Sequence, residues 1–259
     1  MDVREIKAID IHTHIDHGTR HDSPNEEKPY YTAFPDRLIE MEKAANIEYL
    51  FASTFSSVLS DEDVEEENEY MFRTARENEI FYQWVVIDPR NDATFRQADR
   101  MLETDKCVGI KLHPICHKYA IADYADKLFG FSSERKAVVL IHPEDRPVYL
   151  VPFADKYPET TFIAAHLGGK SWGEAIKAAK HKNLYADTSG IASSFNQIVE
   201  YTVEKAGSER ILFGTDTYAP GFQRGRIEYA LISDEDKQNI LRDNALRLFG
   251  GKLKKQNVS

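Results

Sequence analysis

The chain has little of several things, and each shortage excludes something. It holds only two cysteines, Cys107 and Cys116, in 259 residues, too few for a disulfide framework and in keeping with a reducing compartment. No run of 18 apolar residues is present for a membrane span, and the opening Met-Asp-Val-Arg-Glu lacks an apolar signal region. A cytoplasmic protein with no membrane partner is expected. Blocks of Lys and Arg are absent, and 33 basic against 43 acidic residues give a net charge of −10. That balance argues against nucleic acid as the main partner, while leaving room for local basic pockets that take a small anionic substrate. No Gly-x-Gly-x-x-Gly follows the first strand, which weakens a dinucleotide-binding reading. Neither an internal repeat nor a linker is visible, so residues 1–259 are taken as one domain, large enough to bury its own core.

What is present begins with Ala8-Ile-Asp-Ile-His-Thr-His14. Ile9, Ile11 and Thr13 alternate with Asp10, His12 and His14, which predicts a strand with the three polar residues on one face. Residues two apart on such a face lie about 6.6 Å apart, close enough for two imidazoles to converge on one metal ion. Alone, a His-x-His pair is weak evidence.

The rest of the chain alternates strand and helix. Strands are predicted at 49–53, 80–87, 108–112, 138–141, 161–165, 184–186 and 211–213. Helices are predicted at 36–46, 61–78, 93–102, 124–136, 146–156, 172–180, 196–206 and 234–249, the last with Ser233 as its N-cap. A long polar stretch, 17–35, follows the first strand and suits a lid or binding loop. Eight strands and eight helices in strict alternation, with continuous apolar strands such as 138–141, indicate a parallel sheet covered on its faces. In this length the pattern points to an α/β fold, a single (β/α)8 TIM-type barrel, with an open doubly wound sheet as the alternative.

In such a barrel the chemistry collects where the strands end. The residues there are His12 and His14, Lys111 and His113, His142, His166, Asp187, and Asp216. A histidine at one strand end is usually a satisfied polar group; four of them with an aspartate, converging from distant parts of the chain, point to a metal centre.

The motifs Ile9-Asp-Ile-His-Thr-His14, Leu140-Ile-His-Pro143, Ala165-His-Leu-Gly-Gly169, Leu212-Phe-Gly-Thr-Asp216 and Asn244-Ala-Leu-Arg-Leu-Phe-Gly250 span nearly the whole chain. In order and spacing they resemble the amidohydrolase superfamily, in its amidohydrolase-2, or aminocarboxymuconate-semialdehyde-decarboxylase-like, branch. The resemblance implies that His12, His14, His142 and Asp216 bind one divalent metal, usually zinc, and that His166 stays off it. Asp216 would then move a proton, and His166 would hydrogen-bond water or substrate. It also implies a homodimer in which a neighbouring chain adds to the site. Asp10, on the same face but deeper, reads as a partner behind the ligands or a packing group of the barrel rather than a ligand. Lys111 has three readings: an anchor for a substrate carboxylate (favoured), a plain ion pair, or the carbamylated bridge that dinuclear relatives carry on this strand. Arg146 is a further anchor candidate, as are Arg20, His21, Arg224 and Arg226, for which a surface role is the default. The role of His113 is open.

The expectation is therefore a metal-dependent hydrolase of a small carboxylated or cyclic amide, lactone or ester. A metal-dependent, non-oxidative decarboxylase of an unsaturated or aromatic acid is the alternative.

Overall fold

The computed structural model describes residues 2–16 and 33–253. Eight strands form a single sheet in sequence order, every neighbouring pair parallel. They are β1 (Ala8–Ile15), β2 (Ile47–Thr54), β3 (Phe81–Val86), β4 (Cys107–Leu112), β5 (Val138–Ile141), β6 (Thr161–Ala164), β7 (Leu184–Asp187) and β8 (Ile211–Leu212). The Ile11 N–H donates to the Phe213 carbonyl at 3.0 Å, bringing the last strand back to the first. The fold is a (β/α)8 barrel.

The helices are α1 (Pro35–Ala44), α2 (Phe55–Leu59), α3 (Val64–Glu77), α4 (Asp92–Leu102), α5 (Pro114–His117), α6 (Ile121–Glu134), α7 (Val151–Lys156), α8 (Lys170–Ala178), α9 (Ile198–Ala206), α10 (Pro220–Glu228), α11 (Asp234–Gln238) and α12 (Asn244–Phe249). Local chemistry sets their starts. Asn91 accepts from the Ala93 N–H ahead of α4, and Ser233 with Asp236 forms a reciprocal capping box on α11. The expected helix over 146–156 opens as a 3-10 turn, Pro147–Leu150, because Pro147 and Pro152 each lack the N–H that a continuous helix needs. The expected closing helix over 234–249 is interrupted by a π-helical turn, Asn239–Asp243. Three helices escape a periodicity reading: α2 and α5 are too short to show one, and α10 carries Gly221 and Gly225.

Side chains alternate across the barrel wall. Ile9, Ile11, Phe51, Tyr82, Trp84 and Leu140 pack inside, and Phe249 of α12 joins them. Its ring stands 5.0 Å from Phe51 and 5.7 Å from Trp84. Gly109 is glycine for a steric reason: a Cβ there would run into the Val138 carbonyl and the Trp84 ring. On the outer side Ile110, Leu112, Val139 and Ile141 pack with Met101, Leu128 and Phe129.

One sequence expectation about β1 is corrected. Between Asp10 and Thr13 the strand carries an extra residue relative to β2, a bulge that re-aims the side chains beyond it. Ile9 and Ile11 keep to the interior, and His12 beyond the bulge reaches Lys111. The Asp10 side chain instead meets Glu42 of α1 and Thr215, and touches His12 only through its backbone N–H.

Candidate metal centre

His12, His14 and Asp216 bring one ligand atom each to within 4.8 Å of one another. The Nε2 atoms of His14 and His12 lie 3.3 and 3.7 Å from Asp216 Oδ1. Each imidazole is steered by its other nitrogen. His12 Nδ1 faces Asp187 Oδ2 at 2.9 Å, and His14 Nδ1 faces Ser53 Oγ at 3.0 Å. A carboxylate behind an imidazole places the proton on Nδ1 and leaves Nε2 as a donor, the usual arrangement behind a metal-bound histidine.

The electrostatics agree. Burial and the nearby Lys111 charge hold His12 down to about 3; burial likewise lowers His14, and with its cationic neighbours brings His142 to about 3. These rings are neutral near pH 7, as metal ligands must be. Burial works to raise Asp216, but its hydrogen bond to His14 and the surrounding imidazoles win and hold the carboxyl well below the usual range. Two neutral imidazoles and an ionised carboxylate form a donor set suited to a divalent metal.

Backbone conformation presents these groups. Asp216 and Thr217 have φ of 57° and 72°, and His166 has φ of 61°, left-handed values that bulky or β-branched residues adopt only when held. The restraints are visible. Asp216 N–H donates to the His12 carbonyl at 2.8 Å. Thr217 Oγ1 accepts from the His14 N–H at 2.7 Å and bonds the His14 carbonyl at 2.8 Å. His166 N–H donates to Asp187 Oδ1 at 3.2 Å.

A second ligand-like group, His12, His166 and Asp187, is already filled by a hydroxyl. Ser189 Oγ lies 2.9 Å from His12 Nδ1 and 3.0 Å from His166 Nδ1, and it donates to Asp187 Oδ1. This is a hydrogen-bonded support beneath the first group. Gly190 borders it with φ +60°, where a Cβ would stand 3.1 Å from His166 Nδ1 and 3.5 Å from Asp216 Oδ2.

The other sequence candidates fall into place around this centre. His142 is one step removed: its Nδ1 lies 3.1 Å from His166 Nε2, and its ring stacks on His113 at 4.1 Å. His113 itself caps α5, accepting from the Cys116 N–H. Lys111 is buried, with Nζ 2.7 Å from His12 Nε2, and burial lowers its ammonium to about 8. Arg146 is exposed just before the Pro147–Leu150 turn. Arg224 is a structural residue, not a surface one: it bonds Glu228 and the carbonyls of Asn46, Val3 and Arg4. Arg226 bonds the carbonyls of Phe195, Ile191 and Ala192. Arg20 and His21 lie outside the described residues. Sequence reasoning left Asp187 without a role and did not single out Ser53, Ser189, Gly190 or Thr217; the Asp187-Thr-Ser-Gly190 run after β7 was the available signal. Phe55 packs 4.9 Å from His14, and Tyr218 lies 6.4 Å from Phe55, giving the site an aromatic edge.

No curated protein matches the sequence. Solved structures do resemble the fold. A 2,6-dihydroxybenzoate decarboxylase from Rhizobium aligns at a TM-score of 0.72 and 16% identity, over 94% of this chain and 98% of that one. A 5-carboxyvanillate decarboxylase from Sphingomonas paucimobilis aligns at 0.68 and 14%, over 95% and 99%. A dihydroxybenzoic acid decarboxylase from a Polaromonas species, with bound manganese and the inhibitor 2-nitroresorcinol, aligns at 0.72 and 16%, over 97% and 99%. The family model for amidohydrolase matches residues 9–251, nearly the whole barrel and every residue of the centre just described, so the chain belongs to the amidohydrolase family.

Proposed function

We propose that the protein is a metal-dependent decarboxylase of an aromatic or unsaturated carboxylic acid. This reverses the order of the two expectations drawn from the sequence. The observation that carries it is the surroundings of the His12, His14 and Asp216 group. A buried cation, Lys111, stands beside the donors, and Phe55 and Tyr218 border them, so an anionic head and a flat apolar body can be held together. The aromatic-acid decarboxylases that share the fold support the same reading.

We assign the metal to His12, His14 and Asp216. His142 is the fourth candidate, able to join through a turn of its ring away from His166. Zinc suits this donor set, and the manganese of the Polaromonas neighbour makes that ion the second to test. When bound, the divalent ion supplies Lewis-acid polarisation of a substrate oxygen.

The chain's own residues do the rest. Lys111 anchors the substrate carboxylate, while Phe55 and Tyr218 position the body of the substrate. Asp216, ionised at rest and with its carboxyl 20% exposed, takes up a proton from solvent and relays it. The carbon bearing the carboxylate accepts that proton, the bond between them breaks, and its electron pair returns to the substrate carbon as carbon dioxide leaves. Solvent then reprotonates Asp216. The sum is one carboxylate and one proton giving carbon dioxide and the protonated product. His166, held by Asp187 and Ser189, hydrogen-bonds the substrate from the opposite side. Arg146 is kept as a second anchor at the mouth.

The test supplies metal-loaded protein with hydroxybenzoic and unsaturated dicarboxylic acids, and in parallel with lactones, esters and amides. Carbon dioxide release from the first group is expected. Hydrolysis of the second group without carbon dioxide would establish the hydrolase reading instead.

A further inference from the structure

Of the run Ala165-His-Leu-Gly-Gly169, the centre described above uses only His166. That residue stands at φ 61°, a left-handed conformation that persists only under restraint from its surroundings. One restraint comes from the β7 end, where Asp187 Oδ1 accepts the His166 N–H and Ser189 Oγ meets its Nδ1. A second comes from α8.

Trp172 is the third residue of α8, which starts at Lys170. Long helical side chains lean back towards the N-terminus of their helix, so this indole covers the loop that leads into α8. Its Nε1–H donates to the Ala165 carbonyl at 3.0 Å. That carbonyl belongs to the peptide that enters His166. The ring also packs against both apolar clusters of the outer wall, one holding Leu150 and Ala175, the other Leu167 and Ile191. Gly168 is what lets the indole come so close. A Cβ there would stand 3.2 Å from Trp172 Cη2 and 3.1 Å from the His166 carbonyl oxygen, both inside ordinary van der Waals contact.

We propose that Trp172 is a positioning residue for His166: its indole N–H, closing over Gly168, pins the peptide that enters His166 and so aims the imidazole at the substrate. This rests on the reading of His166 as a group that hydrogen-bonds the substrate, and it holds for decarboxylation and hydrolysis alike. A rigid bicyclic ring packed into the outer wall transmits little motion. The peptide it holds is therefore fixed relative to the barrel. Without the indole N–H the left-handed turn relaxes and the imidazole shifts. The metal donors hang elsewhere, His12 and His14 on β1 and Asp216 on the turn after β8.

The test is a double-mutant cycle on metal-loaded protein, using whichever acid, lactone, ester or amide of the panel above the parent converts fastest. Trp172→Phe keeps an apolar ring and removes the N–H. Its kcat is expected to fall about 10- to 100-fold, with KM and Mn2+ affinity within about threefold of the parent. In a His166→Ala background the same substitution should change kcat by less than about twofold, because no imidazole is left to aim. An equal fall in both backgrounds marks a general structural role and overturns the proposal, as does a parent-like kcat in Trp172→Phe. A parent-like kcat in His166→Ala overturns the reading of His166 itself, a result separable from failure of Trp172 alone. Gly168→Ala, which keeps the N–H and displaces the indole, should show the same pattern and takes the place of Trp172→Phe if that variant does not fold. A crystal structure of the variant gives a readout without turnover. The His166 ring should move by about half an ångström or more. An unmoved ring overturns the proposal, including for a parent that converts no member of the panel.

Discussion

The two ends of the barrel treat buried charge in opposite ways. At the end where strands begin, cations are spent on backbone carbonyls. Lys106 reaches those of Asn78, Glu79 and Phe81, Lys252 those of Leu102 and Thr104, and Arg224 those of Asn46, Val3 and Arg4. These carbonyls, joined at Arg224 by the Glu228 carboxylate, leave such a cation charged and satisfied. At the end where strands stop, ionisable groups face one another: Lys111 against His12, His12 against Asp187, Asp216 against His14. Left-handed backbone occurs at both ends, at Asn46, Lys136 and Lys182 before strands and at His166, Asp216 and Thr217 after them, but only the second set carries candidate site groups. One end is arranged for stability, the other for chemistry at some cost in stability.

The largest effect that can break this comparison is at Asp216. Asp216→Asn keeps the shape but cannot pass a proton and is a poorer ligand. Activity is expected to fall by about 10²–10⁴-fold, measured as carbon dioxide release, with the melting temperature of the metal-free protein near that of the parent. Substantial turnover in this variant would remove Asp216 from the proposed mechanism.

Two lysines give the next contrast. Lys106→Met strips a charged donor from three carbonyls and should lower unfolding stability by about 1–3 kcal/mol, with activity retained. Lys111→Met should do the reverse, abolishing activity while raising stability by about 1–3 kcal/mol at pH 7, because the ammonium is destabilised where it lies. The sign follows from its ordinary value of 10.5 falling to about 8 in the fold. Between those values the unfolded chain binds more protons, so the parent gains stability as pH rises through that window. Lys111→Met lacks that gain. Chemical denaturation of both variants at pH 7 and pH 9.5 reads the difference, and equal pH slopes would contradict it.

How far the sequence disclosed this arrangement depends on scale. The barrel was readable because short, mostly apolar strands alternate with helices throughout, and the strand ends carry His12, His14, His142, His166 and Asp216. The face shared by Asp10 and His12 was misread, since a bulge of one residue leaves no mark in the periodicity. Likewise Ser189 and Glu42 were invisible: a serine past a strand and a glutamate in a helix are ordinary until folding places one between His12 and His166 and the other against Asp10. Arg224 looked superficial because α10, with its two glycines, was not recognised as a helix.

Acid should separate the two ends more gently. His12 and His142 fall from the ordinary 6.5 to about 3 in the fold. Below pH 6.5 the unfolded chain takes up protons that these buried rings refuse, so stability is lost as pH falls from about 6.5 towards 3. For His12 alone the slope is up to about 1.4 kcal/mol per pH unit. Urea unfolding of metal-free protein at pH 7.5 and 5.5 measures it, and His12→Asn should flatten the dependence by about that amount. A parent equally stable at both values would mean that the imidazoles take up protons as readily in the fold as in the unfolded chain.

The smallest effect is expected at Gly190, where conformation and contact can be told apart. Its φ of +60° disfavours any side chain, and a Cβ would stand 3.1 Å from His166 Nδ1. Gly190→Ala should lower stability by about 1–2 kcal/mol through the backbone, and the methyl group should press on the ring that Ser189 and Asp187 hold. If His166 acts on the substrate, kcat falls several-fold while Mn2+ affinity stays close to the parent, because the methyl group reaches neither His12 nor His14 and meets Asp216 Oδ2 only at an ordinary contact distance of 3.5 Å. If His166 is itself a ligand, the affinity falls with the rate. Measuring both in the one variant decides whether the Ser189-centred support serves the substrate or the metal.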